Sequence, residues 1–239
     1  MTDSDTSATD RRFRIGLAVS LGSLLLIGIG LFAVVSALTT GGVKLPNQGS
    51  IDEIVGNAPD GTPAAPGQQT PVTLPTGPQP VRLVIPRIYV DAPVVTLSVE
   101  PGTDVLAVPN RGDQAAWYDF NPPPGLGYNA IFSGHVDWQT QDRQPIAGVF
   151  YRLRELQIGD EIDVTLQDGN TIAYRVTGNV ATAYNDPNLG KALQPTPKDE
   201  ITLVTCGGTW IANPAEQNGG NYTHRVIVRA ERVVSNGAG

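Results

Sequence analysis

The longest apolar stretch of the chain lies close to its N-terminus. Residues Ile15–Leu38 include no charged side chain. As a helix rising ~1.5 Å per residue, this run spans roughly 36 Å, which is enough to cross a bilayer with some tilt. Arg11, Arg12 and Arg14 precede it, so the positive-inside rule places residues 1–14 in the cytoplasm. The pattern predicts a transmembrane anchor at 15–38 and an extracellular location for the rest of the chain.

A cleaved signal peptide is the alternative interpretation of this segment. Val35-Ser36-Ala37 resembles a cleavage site, and Arg11-Arg12 resembles a twin-arginine signal. The apolar run is longer than the ~7–15 residues usual for the apolar part of a signal peptide, which favours a retained anchor. Both interpretations export the remainder of the chain.

The residue pattern changes twice beyond the apolar run. Residues 39–80 are rich in Pro, Gly, Thr, Gln and Asn, which is typical of a flexible stalk, and only Ile51–Val55 has the character of a helical turn. Residues 81–234 then carry short runs rich in β-branched residues, separated by Gly, Pro, Asn and Asp, and residues 235–239 form a tail. The strand-like runs are 81–90, 92–98, 105–108, 129–134, 161–167, 171–180, 201–206 and 225–234. This pattern predicts an all-β domain, either a closed barrel or a sandwich, with short helices at 114–117 and 189–193.

The composition narrows the classes of function. The formal net charge of −7 argues against a nucleic-acid partner, because such partners favour a basic face. The chain has a single cysteine, Cys206, and two histidines, His135 and His224, which excludes an intramolecular disulfide and argues against a structural zinc site. No acidic run has calcium-loop spacing, so we expect neither a metal nor a cofactor. Because extracellular cysteines are normally paired, a lone exported thiol favours a chemical role.

The candidate residues for catalysis lie at the ends of three predicted strands. His135 follows Ser-Gly at the end of one strand. Cys206 ends the apolar run Thr202–Thr205 and precedes two glycines, and Arg225 begins the last strand. A thiolate is a nucleophile, an imidazole can exchange its proton, and a guanidinium donates to a carbonyl or an oxyanion. The three side chains suit acyl transfer, provided that the fold brings them together.

The order of these segments resembles the sortase family of cysteine transpeptidases. Thr202–Cys206 (TLVTC) fits the family's TLxTC signature, Ser133–His135 fits its [AS]-G-H segment, and Arg225 fits the arginine that begins the last strand. The opening of the domain, Arg82–Val94, also resembles the family's first strands. The resemblance covers nearly all of 81–234, and the Gly-His-Val-Asp form with a single N-terminal anchor is most similar to the class E and F sortases.

The resemblance implies a fold, a reaction and roles for the site residues. The implied fold is an eight-stranded closed β-barrel of the sortase type. Cys206 is implied to attack the Thr–Gly bond of an LPxTG-like sorting signal and form an acyl-thioester, His135 to act as general acid and then base, and Arg225 to bind the signal's carbonyls and the oxyanion. Thr205 is implied to line the oxyanion hole. The implied partners are surface proteins that bear the signal and an amine of the cell wall or of a pilin.

Two other functions stay open at the level of the sequence. An exported cysteine hydrolase would cleave a peptide without a second amine, and a non-catalytic, membrane-anchored barrel would only bind. Near the three candidates we expect Asp137 in a solvated turn, and His224 in a peripheral position because alternation places it opposite Arg225. Arg229 is expected on the surface. Trp117, Tyr118 and Trp210 are expected either to line a peptide groove or to cap the core.

Overall fold

The structure of the protein, a computed structural model, describes residues 49–55, 75–102, 105–139, 144–215 and 219–234. The predicted anchor at 15–38 and the signal-peptide alternative lie outside these ranges. Within them, no helix has the length and apolar character needed to cross a membrane.

Eight strands of the described chain close into a barrel, in the order β1-β2-β3-β4-β9-β10-β8-β7. Strands β5 and β6 form a separate hairpin. The elements are helix α1 (Ile51–Val55), β1 (Pro80–Ile85), β2 (Val90–Leu97), β3 (Ala115–Tyr118), β4 (Asn129–Gly134), β5 (Asp137–Gln139), β6 (Pro145–Ala147), β7 (Glu161–Leu166), β8 (Thr171–Ala183), β9 (Glu200–Ala212) and β10 (Gly220–Arg232), with 3-10 helices at Pro86–Ile88, Leu153–Glu155 and Leu189–Leu193. The predicted eight-stranded closed barrel is confirmed, and the sandwich alternative is wrong.

Two parallel pairings, β2 with β3 and β4 with β9, interrupt the otherwise antiparallel barrel. Parallel neighbours cannot be joined by a tight turn, because the chain has to return to the starting edge. The connection from β4 to β9 accordingly contains β5 to β8. Because the two strands run in the same direction, their carboxyl ends lie at one rim of the barrel.

The sequence pattern misplaced two of the smaller elements. The helix predicted at 114–117 is strand β3, and all four of its residues are buried. A strand buried on both faces has no alternation, so periodicity cannot distinguish it from a buried helix. The strand predicted at 105–108 is replaced by an isolated bridge between Val99 and Leu106.

Alternate residues of the strands divide between two hydrophobic clusters. Val226 and Val228 belong to the cluster that fills the barrel, whereas Ile227 between them lies on the outer face. The interior cluster also includes Leu83, Ile85, Trp117, Phe132, Phe150, Ile162, Val164, Tyr174, Ile201 and Leu203. The outer cluster requires a cover, because apolar side chains outside the barrel would otherwise face water.

Helix α1 and the 3-10 helix Leu189–Leu193 provide that cover. Ile51 is fully buried and packs with Val180, Ala192 and Ile227. The Nζ atom of Lys191 also donates to Asp52 Oδ1 at 3.1 Å. The predicted helical turn at Ile51–Val55 is confirmed, and it packs on the outer face of the barrel although its sequence belongs to the predicted stalk.

A buried ion pair on the outer face of the barrel joins β10 to the first residue of β9. Arg229 Nη1 lies 2.6 Å from Glu200 Oε1, with side chains that are 2% and 7% exposed. Arg229 Nη2 donates to the Ala192 carbonyl at 3.1 Å, and Thr196 Oγ1 donates to Glu200 Oε1 at 2.5 Å. Burial lowers the pKa of Arg229, while Glu200 opposes that shift. The expectation of a surface Arg229 is therefore wrong, because the 3-10 helix covers a position that strand alternation leaves on the outside.

Removing one partner of this pair should destabilise the fold strongly. We expect Glu200→Ala to lower the free energy of unfolding by about 3–5 kcal/mol, because the Arg229 charge then stays buried without its partner. The measurement is urea unfolding followed by circular dichroism. Glu161→Ala, which breaks the exposed pair with Arg175, is the matched control and should have a far smaller effect. Equal losses in the two variants would contradict the expectation.

Candidate active site

The strand register brings the three candidate residues to one rim of the barrel. Arg225 on β10 pairs directly with Cys206 on β9. In the parallel pairing of β4 and β9, Ser133 lies opposite Val204. His135 and Cys206 each lie two positions further along, so they are at the same level, at the rim where β4 ends.

The three residues also share the outer face of the sheet. Leu203 and Val226 point into the barrel, so alternation places Cys206 and Arg225 on the opposite side. His135 continues the same alternation one residue beyond the end of β4, since Phe132 points inward. The register therefore assembles the predicted histidine, cysteine and arginine on one surface, which the sequence alone did not establish.

Cys206 is a free, half-buried thiol. Burial raises the pKa of the Cys206 thiol above its ordinary value, the positive charge of Arg225 opposes this shift, and the negative charge of Asp137 adds to it. At neutral pH the resting sulfur is therefore protonated. A nucleophilic attack requires a base and a cation beside the sulfur.

The imidazole of His135 is held by the loop between β2 and β3. Its Nε2 lies 2.7 Å from the Pro109 carbonyl oxygen. Because a carbonyl oxygen can only accept, Nε2 carries the hydrogen and Nδ1 is the basic nitrogen of the ring. The Trp138 ring packs beside it at 4.8 Å between centroids. Across the described residues, no hydrogen bond joins the Cys206 sulfur to this ring.

Two glycines permit the close packing that positions His135. A Cβ on Gly134 would lie 2.5 Å from Val149 Cγ1, and a Cβ on Gly148 would lie 2.3 Å from the His135 carbonyl oxygen. The Phe150 N–H donates to that same carbonyl at 2.9 Å. Gly148 and Phe150, which follow β6, thus pack against the backbone of His135. The sequence analysis identified the glycine before His135 but missed Gly148.

The guanidinium of Arg225 is oriented by neutral acceptors. Nη1 donates to the carbonyls of His224 at 2.9 Å and Tyr222 at 3.3 Å, and Nη2 donates to Asn221 Oδ1 at 2.9 Å. Its central carbon lies 5.8 Å from the centre of the Tyr184 ring. Among the residues described, no carboxylate forms an ion pair with Arg225, so its charge can act on the thiol and on a substrate carbonyl.

The Thr205 hydroxyl is buried and donates to the Gly134 carbonyl at 2.7 Å. This bond ties β9 to β4 one residue before Cys206 and His135. The part of Thr205 in an oxyanion hole stays a prediction. The other histidine, His224, contacts Thr223 Oγ1 through Nδ1 at 2.8 Å, and it lies on the alternate face from Arg225.

A groove of about 420 Å³ lies beside His135 and Arg225, because Trp138 packs on the His135 ring and the Tyr222 carbonyl accepts from Arg225. It is lined by Asp137, Trp138, Gln139, Trp210 and Tyr222. The Tyr222 hydroxyl donates to Asp137 Oδ2 at 2.5 Å, and this bond links hairpin β5–β6 to β10. Asp137 is therefore a hydrogen-bonded wall of the groove, which corrects the expectation of a solvated turn residue.

The aromatic residues of the sequence divide between groove and core. Trp210 is 45% exposed and packs edge-on against the Tyr222 ring, whereas Trp117 is buried inside the barrel. The contribution of Tyr222 was missed, because its approach to Asp137 depends on the folding of two distant segments. In the described ranges, no three His, Cys, Asp or Glu side chains lie close enough together to hold a metal ion.

Comparison with known proteins places the chain in a family. Residues 83–233 match the Sortase domain, which is more than half of the chain. A search of curated protein sequences finds no match. Because of the domain match, the chain belongs to the sortase family, and it is an enzyme of the cysteine transpeptidase class.

Solved structures similar to this chain are sortases. They include the sortase D5 transpeptidase of Clostridium perfringens, 22% identical over 64% of this chain and 78% of that chain, with a TM-score of 0.42. A lid mutant of sortase A from Corynebacterium diphtheriae is 28% identical over 67% of this chain and 74% of that chain, with a TM-score of 0.44. Sortase C-1 from Actinomyces oris is 26% identical over 64% of this chain and 72% of that chain, with a TM-score of 0.43.

The charges around Cys206 predict how its reactivity depends on pH. The midpoint of alkylation by iodoacetamide should lie above that of a free cysteine, because burial disfavours the thiolate. Arg225→Gln should move the midpoint further up, since it removes a positive charge that stabilises the thiolate. Asp137→Asn should move it down. Mass spectrometry measures the alkylation at this single cysteine. A midpoint below that of free cysteine, or shifts of opposite sign, would refute this account of the thiol.

Proposed function

We propose that this enzyme cleaves an LPxTG-like sorting signal at its Thr–Gly bond and transfers the acyl part to an amine of the cell wall or of a pilin. The observation that carries the proposal is the direct pairing of Cys206 with Arg225 on the outer face, at the rim where His135 also emerges. Nucleophile, cation and proton carrier are the groups that acyl transfer through a thioester requires.

The first half-reaction forms the thioester. The Cys206 thiol gives its proton to the imidazole of His135, and the sulfur attacks the threonine carbonyl carbon of the signal. The oxygen of that carbonyl becomes an oxyanion, which the Arg225 guanidinium stabilises. The imidazolium then protonates the glycine nitrogen as the C–N bond breaks, and an acyl-thioester remains on Cys206.

The second half-reaction uses the same groups in reverse. An incoming amine attacks the thioester carbonyl, His135 accepts a proton from its nitrogen, and the Cys206 sulfur leaves. The raised pKa of the thiol makes the thiolate a poorer leaving group, so its protonation by the imidazolium assists this step. Within the resting enzyme, the bond from Nε2 to the Pro109 carbonyl keeps Nδ1 available as the basic nitrogen.

Two alternatives differ from this proposal in their products. A cysteine hydrolase gives the free acid whether or not an amine is added, whereas a transpeptidase gives the amide when an amine is present. A non-catalytic binding barrel forms no covalent intermediate. The domain match to an enzyme family argues against simple binding.

Trapping the thioester tests the proposed substrate. The purified enzyme is incubated with a library of LPxTG-like peptides, and the adduct on Cys206 is identified by mass spectrometry. We expect an adduct that ends at threonine, and an amide product when triglycine is added. Cys206→Ala should form no adduct while keeping the circular dichroism spectrum of the wild type. Normal turnover in that variant would sink the mechanism, and a folded enzyme inert towards the entire library would sink the substrate class.

The proposed site of action is the outer surface of the cell, with the segment 15–38 retained as an anchor and residues 1–14 in the cytoplasm. The charge asymmetry around the apolar run supports this topology. In a Cys206→Ala background, Asp168→Cys on the exposed β7–β8 turn should react with a membrane-impermeant thiol reagent on intact cells. Thr6→Cys should react only after permeabilisation. Labelling of position 6 in intact cells would overturn the orientation.

A further inference from the structure

The residues that line the groove defined above lie beside the His135 imidazole and near the Cys206 sulfur. One of its walls, Trp138, packs against the His135 ring at 4.8 Å between centroids. Two others, Asp137 and Tyr222, lie close enough to Cys206 for charge interactions with its sulfur. A molecule in the groove therefore lies beside the imidazole that accepts a proton in the proposed second half-reaction.

The chemistry of the groove favours a cation. Asp137 supplies a carboxylate. The Tyr222 hydroxyl donates to one of its two oxygens, Oδ2. Burial and the neighbouring Asp137 raise the pKa of Tyr222 well above its usual range, so Tyr222 stays a neutral donor and the carboxylate keeps its role as acceptor. Three aromatic rings, Trp138, Trp210 and Tyr222, surround the carboxylate. A carboxylate among aromatic rings is suited to an ammonium group.

Asp137 is unfavourable for the first half-reaction. Its charge raises the pKa of Cys206 and so disfavours the thiolate that attacks the signal. The residues of an LPxTG-like signal next to the scissile bond carry no positive charge that this carboxylate could bind. A carboxylate at this position is explained if it serves the second half-reaction.

We propose that this groove is the binding site of the acyl acceptor, with Asp137 binding its primary ammonium group and with Trp138, Trp210 and Tyr222 packing around the chain that carries it. The proposal rests on the proposed function and names the substrate class for its second half-reaction. The shared chemistry is a primary amine on a slender chain, either the terminal amine of a peptide or the side-chain amine of a lysine-like residue.

The transfer step balances in atoms and charge. The bound ammonium loses one proton to solvent, and its nitrogen attacks the thioester carbonyl. The C–N bond forms and the C–S bond breaks. His135 removes a second proton from the nitrogen and passes it to the departing sulfur. The products are an amide, the Cys206 thiol and one released proton.

The test measures how an acylated enzyme divides between aminolysis and hydrolysis. Cys206 is loaded from a small activated thioester, so that recognition of a sorting signal plays no part and its failure is scored separately. The acyl group is loaded at a single position, because the chain has one cysteine. The acceptors are triglycine, Nα-acetyl-lysine amide and hydroxylamine, which is uncharged at the pH of the assay. The ratio of amide to acid is independent of the acylation rate.

Asp137→Asn removes the charge but keeps an oxygen that can accept from Tyr222. We expect its amide-to-acid ratio to fall about tenfold with an ammonium acceptor and to change little with hydroxylamine. A fall limited to triglycine identifies a terminal amine, a fall limited to the lysine derivative identifies a side-chain amine, and a fall with both supports the shared chemistry. Asp163→Asn, on β7 away from the groove, makes the same change in net charge and should leave all three ratios unchanged.

Trp210→Ala provides a second test at a position that is 45% exposed. It should lower the ratio severalfold for the same ammonium acceptor, because part of the groove wall is lost. The proposal is overturned if Asp137→Asn affects the ammonium acceptors and hydroxylamine equally, or if neither acceptor is used by the loaded wild type. An unchanged ratio in Trp210→Ala also overturns it, including in the case where Asp137→Asn does not fold.

Discussion

The site depends on the pairing of a half-buried thiol with a guanidinium on the neighbouring strand. The register between β9 and β10 places Arg225 opposite Cys206, and neutral acceptors hold the guanidinium in place. Burial raises the pKa of the Cys206 thiol, and this positive charge is the interaction that opposes the shift and favours the thiolate. The parallel pairing of β4 and β9 then adds His135 at the same rim. The strand register, which the packed core fixes, thus determines which side chains meet at the rim.

Opposite charges flank the sulfur, and their balance bears on both of the proposed half-reactions. Arg225 favours the thiolate and Asp137 disfavours it. A site tuned only for attack would lack the carboxylate. Its presence, bonded to Tyr222 in an aromatic groove, fits the proposed transfer of the acyl group to an amine. Because the pKa of the Cys206 thiol is raised, the proposed attack requires a base, and His135 is the residue proposed for it.

The outer face of the sheet carries a second, structural set of contacts. The buried pair of Arg229 and Glu200 and the cluster around Ile51 hold the 3-10 helix Leu189–Leu193 and helix α1 against strands β8 to β10. Val204, two residues before Cys206, packs at the edge of this cluster. Strand β9, which carries Cys206, is therefore packed on both of its faces, by the barrel core and by this cover. Such rigidity keeps the sulfur in register with the guanidinium.

The sequence by itself determined the all-β class, most strand positions and the identity of the candidates Cys206, His135 and Arg225. These features are local: β-branched runs, turn residues and short motifs are legible without knowledge of neighbours. Only the tertiary structure decided that β3 is a strand, that Arg229 is buried, and that Asp137 and Tyr222 meet across a groove. Those outcomes depend on contacts between segments that are distant in the chain. Burial on two faces and pairing between distant strands produce no periodic pattern in the sequence, because they depend on how the barrel closes.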